Sequence, residues 1–171
     1  HGSVKELDKL RNLFIQNGIV VFPGFEIASS EKVHFVCLFG EDKTSQELER
    51  ILGRLSKLDP AEGILPTDLS AVQLIDSVEE IGGFVFAAHS TTASGVLKSK
   101  MNHIWKYPKL RAAQIPANLS DLKGGELDFY RDVFLNKNAE YRRERPMAVI
   151  NAADIKEPAE VANPRATCLI K

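Results

Sequence analysis

Cysteine is scarce in this chain of 171 residues, which contains only Cys37 and Cys168. Both lie in apolar, strand-like runs, and a disulfide framework would need more of them. The scarcity argues against a small disulfide-stabilised fold and favours a reducing, cytoplasmic compartment. Long apolar runs are also missing, because stretches such as Phe84 to Ala88 are far shorter than the roughly 20 residues that cross a bilayer. The N-terminus shows no secretory signal, so we expect no membrane partner.

Neither sign of charge is in excess. Lys and Arg total 22 against 23 Asp and Glu, which gives a formal net charge of -1. This balance argues against a basic surface over the whole chain, although a local basic patch stays open. Hydrophobic residues make up 44% and charged residues 26%, as in a globular protein. The length is enough for a hydrophobic core, so we predict one domain over residues 1–171.

Turn and capping residues divide the chain into alternating helices and strands. Ser3 with Glu6, and Thr44 with Glu47, form capping boxes before two amphipathic helices. Strands are expected over 19–22, 33–39, 84–88, 112–115, 147–150 and 167–170, and further helices over 68–81, 96–105, 126–135 and just after Pro158. The strand over 33–39 is apolar on both faces, which is typical of a parallel sheet. This order of helices and strands predicts an α/β fold. Both ends of the sequence look cut, as in a piece of a longer protein.

Three polar residues follow expected strands directly. Glu26 follows the strand over 19–22, His89 follows the strand over 84–88, and Asp154 follows the strand over 147–150. Ligands of parallel α/β sheets and barrels bind at this edge, where the strand-to-helix loops meet. Taken singly, Glu26 is also explained as a turn residue and Asp154 as a helix cap. Taken together, a histidine and two carboxylates are a donor set for Zn²⁺, Mn²⁺ or iron.

His34 opens the strand over 33–39 and shares a face with Val36 and Leu38. A single histidine in an apolar strand is usually a hydrogen-bonded core residue. Only a short turn separates it from Glu26, so a role in the same metal site is the second interpretation.

These residues carry a resemblance to a known family. Pro23-Gly24-Phe25-Glu26 resembles the P-G-x-E motif of the polymerase and histidinol phosphatase (PHP) superfamily, and Ala88-His89 resembles its A-H-P motif. His34 resembles the histidine that follows P-G-x-E. The resemblance implies a distorted, TIM-like β/α barrel that binds two or three divalent metals at its mouth and hydrolyses phosphoesters. It covers nearly the whole chain, and the order of its short motifs is what supports it.

Two further stretches extend the resemblance. His1, followed by a helix, a strand and Pro23, is similar in register to the histidine of the family's T-D-H motif. A cloning remnant also explains His1-Gly2-Ser3, but Ser3 belongs to a capping box, which slightly favours the ligand interpretation. The stretch from Asn151 to Lys171 resembles PHP domains fused to an AAA-like ATPase of the DNA-repair type. That likeness implies a covalently linked ATPase region, and it favours nucleic acid over a small phosphate ester as the substrate.

The sequence also departs from the family pattern. The opening H-x-H motif is absent, so we expect a barrel that is incomplete at its N-terminal strands. The closing D-x-H motif reads Asp154-Ile155-Lys156, and Ser90 stands where proline is usual. The expected metal ligands are His1, Glu26, His34, His89 and Asp154, and the expected catalytic residues among them are Glu26, His89 and Asp154. Because a metal site with missing ligands loses affinity, we expect little activity from these residues alone.

Two functions therefore stay open. The first is a metal-dependent phosphoesterase, and the second is a catalytically degenerate PHP-like module that serves an ATPase as a scaffold or regulator. A weaker candidate is a basic stretch with interleaved aromatic residues that could contact phosphates or bases, although a solvated helix face explains it equally well. Its residues are Lys98, Lys100, Trp105, Lys106, Tyr107, Lys109 and Arg111, and Arg142, Arg143 and Arg145 form a similar surface loop.

Overall fold

The computed structural model describes residues 6–56, 67–152 and 159. Helices and strands are interspersed along this part of the chain, and in places two elements of the same kind follow one another. In chain order they are α1 (Leu7–Ile15), β1 (Gly24–Ala28), β2 (His34–Leu38), α2 (Ser45–Leu55), α3 (Ala71–Glu80), β3 (Phe84–Ala87), α4 (Asn102–Trp105), β4 (Ala112–Ile115), α5 (Glu126–Phe134) and β5 (Ala148–Asn151). The helix expected after Pro158 and the strand expected over 167–170 lie outside the described residues.

The strands form one five-stranded mixed sheet in the order β1-β2-β3-β4-β5, which confirms the α/β prediction. The described strands do not close into a barrel, because β1 and β5 stand at opposite ends of this order. The chain divides into two compact units, His1–Val85 and Phe86–Lys171. A single domain over 1–171 stays a prediction. None of the described helices has the length and apolar character that a membrane span requires.

In the first unit, the strand expected over 19–22 is wrong. These residues are not in a strand, and Phe22 is 58% exposed. The ladder begins only after Pro23, which has no N–H to donate to it. Gly24 then allows a close approach of the two chains, since a Cβ there would lie 2.3 Å from the carbonyl oxygen of Cys37. Glu26 therefore lies within β1 and does not follow a strand.

On the side of β1, the parallel-sheet interpretation of β2 is wrong, because β2 pairs antiparallel with β1. One face of β2 packs into the core and the other is half-buried, which is common in antiparallel sheets. The core face carries Val33, Phe35, Cys37 and Phe39, and the half-buried face carries His34, Val36 and Leu38, as the alternation predicts. Burial raises the pKa of the Cys37 thiol far above its usual value, so Cys37 is not a reactive thiolate.

Capping boxes fix the beginnings of two helices in the first unit. The capping box at α2 is confirmed: Thr44 Oγ1 accepts the N–H of Glu47, and Glu47 Oε2 accepts the N–H of Thr44. Helix α3 begins with the same arrangement at Ser70 and Gln73. Each box satisfies backbone N–H groups that a helix start leaves without partners. Ser3, the first half of the box expected before α1, lies outside the described residues.

The second unit contains parallel strands. Phe86 and Ala87 at the end of β3 pair with β4, and β4 pairs with β5 in parallel. The strands expected over 84–88, 112–115 and 147–150 are confirmed, with small shifts at their ends.

The helix expected over 96–105 is mostly wrong, because only Asn102–Trp105 is helical. The N–H groups of Leu97 and Lys98 both donate to the carbonyl of Ser90, at 3.0 and 3.2 Å. Lys100 adopts a φ of 55°. These bonds fold the segment back onto the loop after β3 and leave too few residues for a longer helix.

The core of the second unit is built around Trp105, whose ring packs edge-on against Phe134 at 5.1 Å. Arg143 holds the chain that leaves α4. Its guanidinium donates to the carbonyls of Trp105, Tyr107 and Leu110. A cation bound to several carbonyls at the end of a helix stabilises that end, so Arg143 has a structural role.

Candidate metal centre

Glu26 and His34 are brought together by the register of the β1–β2 hairpin. Glu26 lies opposite Val36, and Ala28 lies opposite His34. Glu26 and His34 are therefore diagonal neighbours on one face of the hairpin, a separation that long side chains can bridge. Their side chains meet, with His34 Nδ1 and Glu26 Oε1 2.8 Å apart. The hairpin alone is enough to place these two groups in contact.

The contact is a hydrogen bond in which Nδ1 of His34 donates, because an ionised carboxylate only accepts hydrogen bonds. The same two atoms are a nitrogen and an oxygen donor for a metal ion, which would displace the proton between them. Both side chains are about a quarter exposed, at 24% for His34 and 25% for Glu26, so water reaches the pair.

His89 stands at the C-terminal end of β3, two residues after Ala87, as the sequence predicts. Its backbone φ is 27°, in a region that side-chain-bearing residues rarely adopt. Such a conformation costs about 1–3 kcal/mol and persists only where the surroundings impose it. Strain of this kind is concentrated at functional sites, because it holds a side chain in a direction that a relaxed backbone would not give.

The loop after His89 imposes that conformation. The carbonyl of His89 accepts the N–H and the hydroxyl of Thr92, at 2.9 and 3.0 Å. Gly95 returns close to the start of the loop, where a Cβ would lie 2.5 Å from the carbonyl oxygen of His89. Only glycine fits this approach, so the loop forms a compact turn beneath the histidine.

Glu26, His34 and His89 form a group that could hold a metal ion. Each offers one ligand atom, and these atoms all lie within 4.8 Å of one another. One carboxylate and two imidazoles are a donor set that suits Zn²⁺, Mn²⁺ or iron, so these residues fit the divalent metal that the sequence suggests. His1 and Asp154, the other expected ligands, lie outside the described residues. The catalytic roles assigned to Glu26, His89 and Asp154 stay predictions.

One polar residue at this end of the second unit was not singled out by the sequence. Gln114 lies in β4, and its side chain contacts the backbone of His89 and of Ala152. The sequence signal that could have identified Gln114 is a single amide side chain in the otherwise apolar strand over 112–115.

The basic stretch is not an aromatic platform for bases. Trp105 is fully buried, so its ring cannot stack on a nucleotide. Lys98 forms a 2.7 Å ion pair with Glu126, and Arg143 is committed to backbone carbonyls. These contacts favour the structural interpretation of this stretch and of the arginine loop.

Comparison with known proteins adds little. No protein-family model matches the chain, and no curated protein matches it significantly. One solved structure, the lesion-specific endonuclease PfuEndoQ from Pyrococcus furiosus, is similar with a TM-score of 0.46 and 16% identity. The match covers 57% of this chain and 26% of that endonuclease. A likeness this weak carries no argument about fold or function, and a linked ATPase stays a prediction of the sequence resemblance.

Proposed function

We propose that this chain is part of a PHP-like, metal-dependent phosphoesterase in which Glu26, His34 and His89 bind a divalent metal ion. The observation that carries the proposal is the grouping of one carboxylate and two imidazoles with ligand atoms within 4.8 Å. The order of the motifs that contain them in the sequence supports it independently. His1 and Asp154 complete the proposed ligand set.

The protein groups have distinct tasks in this proposal. Glu26 and His34 are hydrogen-bonded through Oε1 and Nδ1, which keeps two proposed ligands side by side, and a bound metal would take the place of that proton. His89 offers an imidazole nitrogen from a loop whose backbone is held in place. A divalent metal bound there would lower the pKa of a water ligand toward 7 and stabilise charge on phosphoryl oxygens.

The proposed substrate is a phosphoester, with nucleic acid favoured over small phosphate esters. This preference rests on the resemblance of the stretch from Asn151 to Lys171 to PHP domains fused to DNA-repair-type ATPases. Because a fold does not determine the substrate, this preference is tested separately from the metal site.

The first experiment measures metal binding to the 171-residue chain. Titration calorimetry with Mn²⁺ and Zn²⁺ should show saturable binding, and His89→Ala should weaken it. The exposed histidine of α4 provides the matched control, since His103→Ala should leave binding unchanged. A wild-type chain that binds neither metal would refute the proposal.

The second experiment measures turnover. Hydrolysis of bis-p-nitrophenyl phosphate and of single- and double-stranded DNA should depend on added metal and stop with a chelator. We expect weak turnover from residues 1–171, and more from a version extended upstream through the strand expected before His1. Loss of that activity in His89→Ala at an unchanged melting temperature would assign it to this site.

A degenerate module is the second candidate function, and one observation favours it. Lys156 stands where the family's D-x-H motif has a histidine, and an ammonium group repels metal ions. An extended chain that binds metal but hydrolyses no phosphoester would support a scaffold or regulatory role.

A further inference from the structure

We propose that Gln114 is a positioning residue that holds the backbone of His89 in its unusual conformation and so aims the imidazole at the metal. The inference rests on the proposed function and concerns residues of the second unit only. Gln114 lies in β4, where it faces Ile150 of β5 in the parallel register.

The oxygen and the nitrogen of the Gln114 side-chain amide both form hydrogen bonds to the backbone. Its Oε1 accepts the backbone N–H of His89 at 3.2 Å, and its Nε2 donates to the carbonyl of Ala152 at 3.1 Å. The side chain therefore joins the turn after β3 to the residue that follows β5. Asp154, an expected ligand, lies two residues further along the sequence.

The backbone of Gln114 makes a third connection to the same turn. Its carbonyl accepts the N–H of Ser90 at 2.8 Å, so one residue of β4 binds two successive amides of the turn. Two anchored amides define the orientation of the peptide groups on either side of His89. This explains how a non-glycine residue keeps a φ of 27° without relaxing.

An amide suits this position better than a charged or apolar residue. It supplies one acceptor and one donor on the same short group, which matches an N–H on one side and a carbonyl on the other. A carboxylate would lack the donor, and a methionine of similar length would lack both. A histidine that ligates a metal depends on such supporting contacts, whose loss typically weakens metal affinity by about 10- to 100-fold.

The test compares Gln114→Met with wild type in two measurements. Calorimetric titration with Mn²⁺ should show an affinity lowered by about 10- to 100-fold. Amide hydrogen exchange without metal should show faster exchange at the N–H of His89, because its acceptor is gone. Ile115→Val is the matched control, since it trims a fully buried neighbour in β4 and should lower the melting temperature without changing either measurement.

The outcomes separate this inference from the proposed function. A wild-type chain without Mn²⁺ affinity refutes the metal site. The exchange rate of the His89 N–H still tests its hydrogen bond to Gln114. Wild-type affinity and wild-type exchange in a folded Gln114→Met variant overturn the positioning role alone. If that variant does not fold, Gln114→Glu keeps the acceptor oxygen, so protection of the His89 amide should persist, and its loss would contradict the inference.

Discussion

The two units hold their candidate ligands in different ways. In the first unit, regular secondary structure suffices: an antiparallel register places Glu26 beside His34, and capping boxes fix the neighbouring helices. In the second unit, side chains bind loop backbone directly. Gln114 holds the turn at His89, and Asn136 exchanges two hydrogen bonds with the backbone of Arg143. A ligand on a strand therefore depends on strand pairing, whereas a ligand on a loop depends on individual polar side chains.

The first unit also uses long-range contacts between side chains and backbone, such as those of Arg11, Asp8 and Thr67, and the Glu31 carboxylate makes another. It accepts the N–H of Ala71 at the start of α3, at 3.0 Å. Desolvation raises the pKa of Glu31, but hydrogen bonds from Ser29, its own backbone, Ala71 and Ser30 outweigh this and hold the pKa below its usual value. This contact supports a helix and does not position a candidate ligand, so the contrast between the units holds.

The largest expected effect is that of removing the loop ligand. In His89→Ala, the affinity for Mn²⁺ should fall by more than the roughly 10- to 100-fold that loss of a supporting contact costs. The measurement is calorimetric titration, with His103→Ala unchanged and the melting temperature as the control for folding. Equal affinity in His89→Ala and wild type would show that His89 is not a ligand.

Next in size is the effect of changing the carboxylate ligand of the strand. Glu26→Gln keeps an oxygen that can face Mn²⁺ but removes the negative charge, so it should weaken Mn²⁺ binding, by less than His89→Ala does. Glu80→Gln, at an exposed position of α3, is the matched control. Nitrogen NMR should show the His34 proton on Nδ1 in wild type. A proton on Nε2 would contradict the arrangement described for the pair.

Removing a backbone-binding side chain should affect stability but not the metal. Arg143→Met should lower the free energy of unfolding by about 1.5–3 kcal/mol, since it deletes charged hydrogen bonds to several carbonyls. Denaturant unfolding measures this, and Arg142→Met, at an exposed neighbour, should change it by less than about 0.5 kcal/mol. If both variants unfold alike, the second unit does not depend on such contacts as we infer.

The smallest expected effect concerns a helix cap of the first unit. Hydrogen bonds from the backbone and hydroxyl of Thr44 and from Lys43 lower the pKa of Glu47 to about 2 from an ordinary 4.5. A carboxyl group with a lowered folded-state pKa stabilises the fold above its unfolded pKa, and this contribution is lost as the pH falls from 4.5 toward 2.

Glu47→Gln keeps the capping box but removes this titration, so its melting temperature should depend less on pH in that range. Glu49→Gln, on the same helix, serves as the control and should retain the wild-type dependence. Identical pH profiles for wild type and Glu47→Gln would show that the carboxylate adds nothing to the cap.

Local signals predicted the elements better than their pairing. The Thr44–Glu47 box predicted the start of α2 because its bonds lie within four neighbouring residues. The strand predicted over 19–22 is wrong because strand pairing depends on a partner elsewhere in the chain. Residues 19–22 are apolar enough for a strand, but the pairing needs the close approach that Gly24 permits. The antiparallel direction of β2 depends on its partner and could not be predicted from its own apolar pattern.

The sequence by itself determined which chemical groups are available: a glutamate, histidines at 34 and 89, and an α/β order of elements that spaces them along the chain. The tertiary structure alone decided how those groups are held. The Glu26–His34 hydrogen bond follows from a pairing register, and the N–H of His89 is bound by a glutamine 25 residues away. Both are long-range contacts, and the free energy of such a contact depends on both partners, so neither segment predicts it alone.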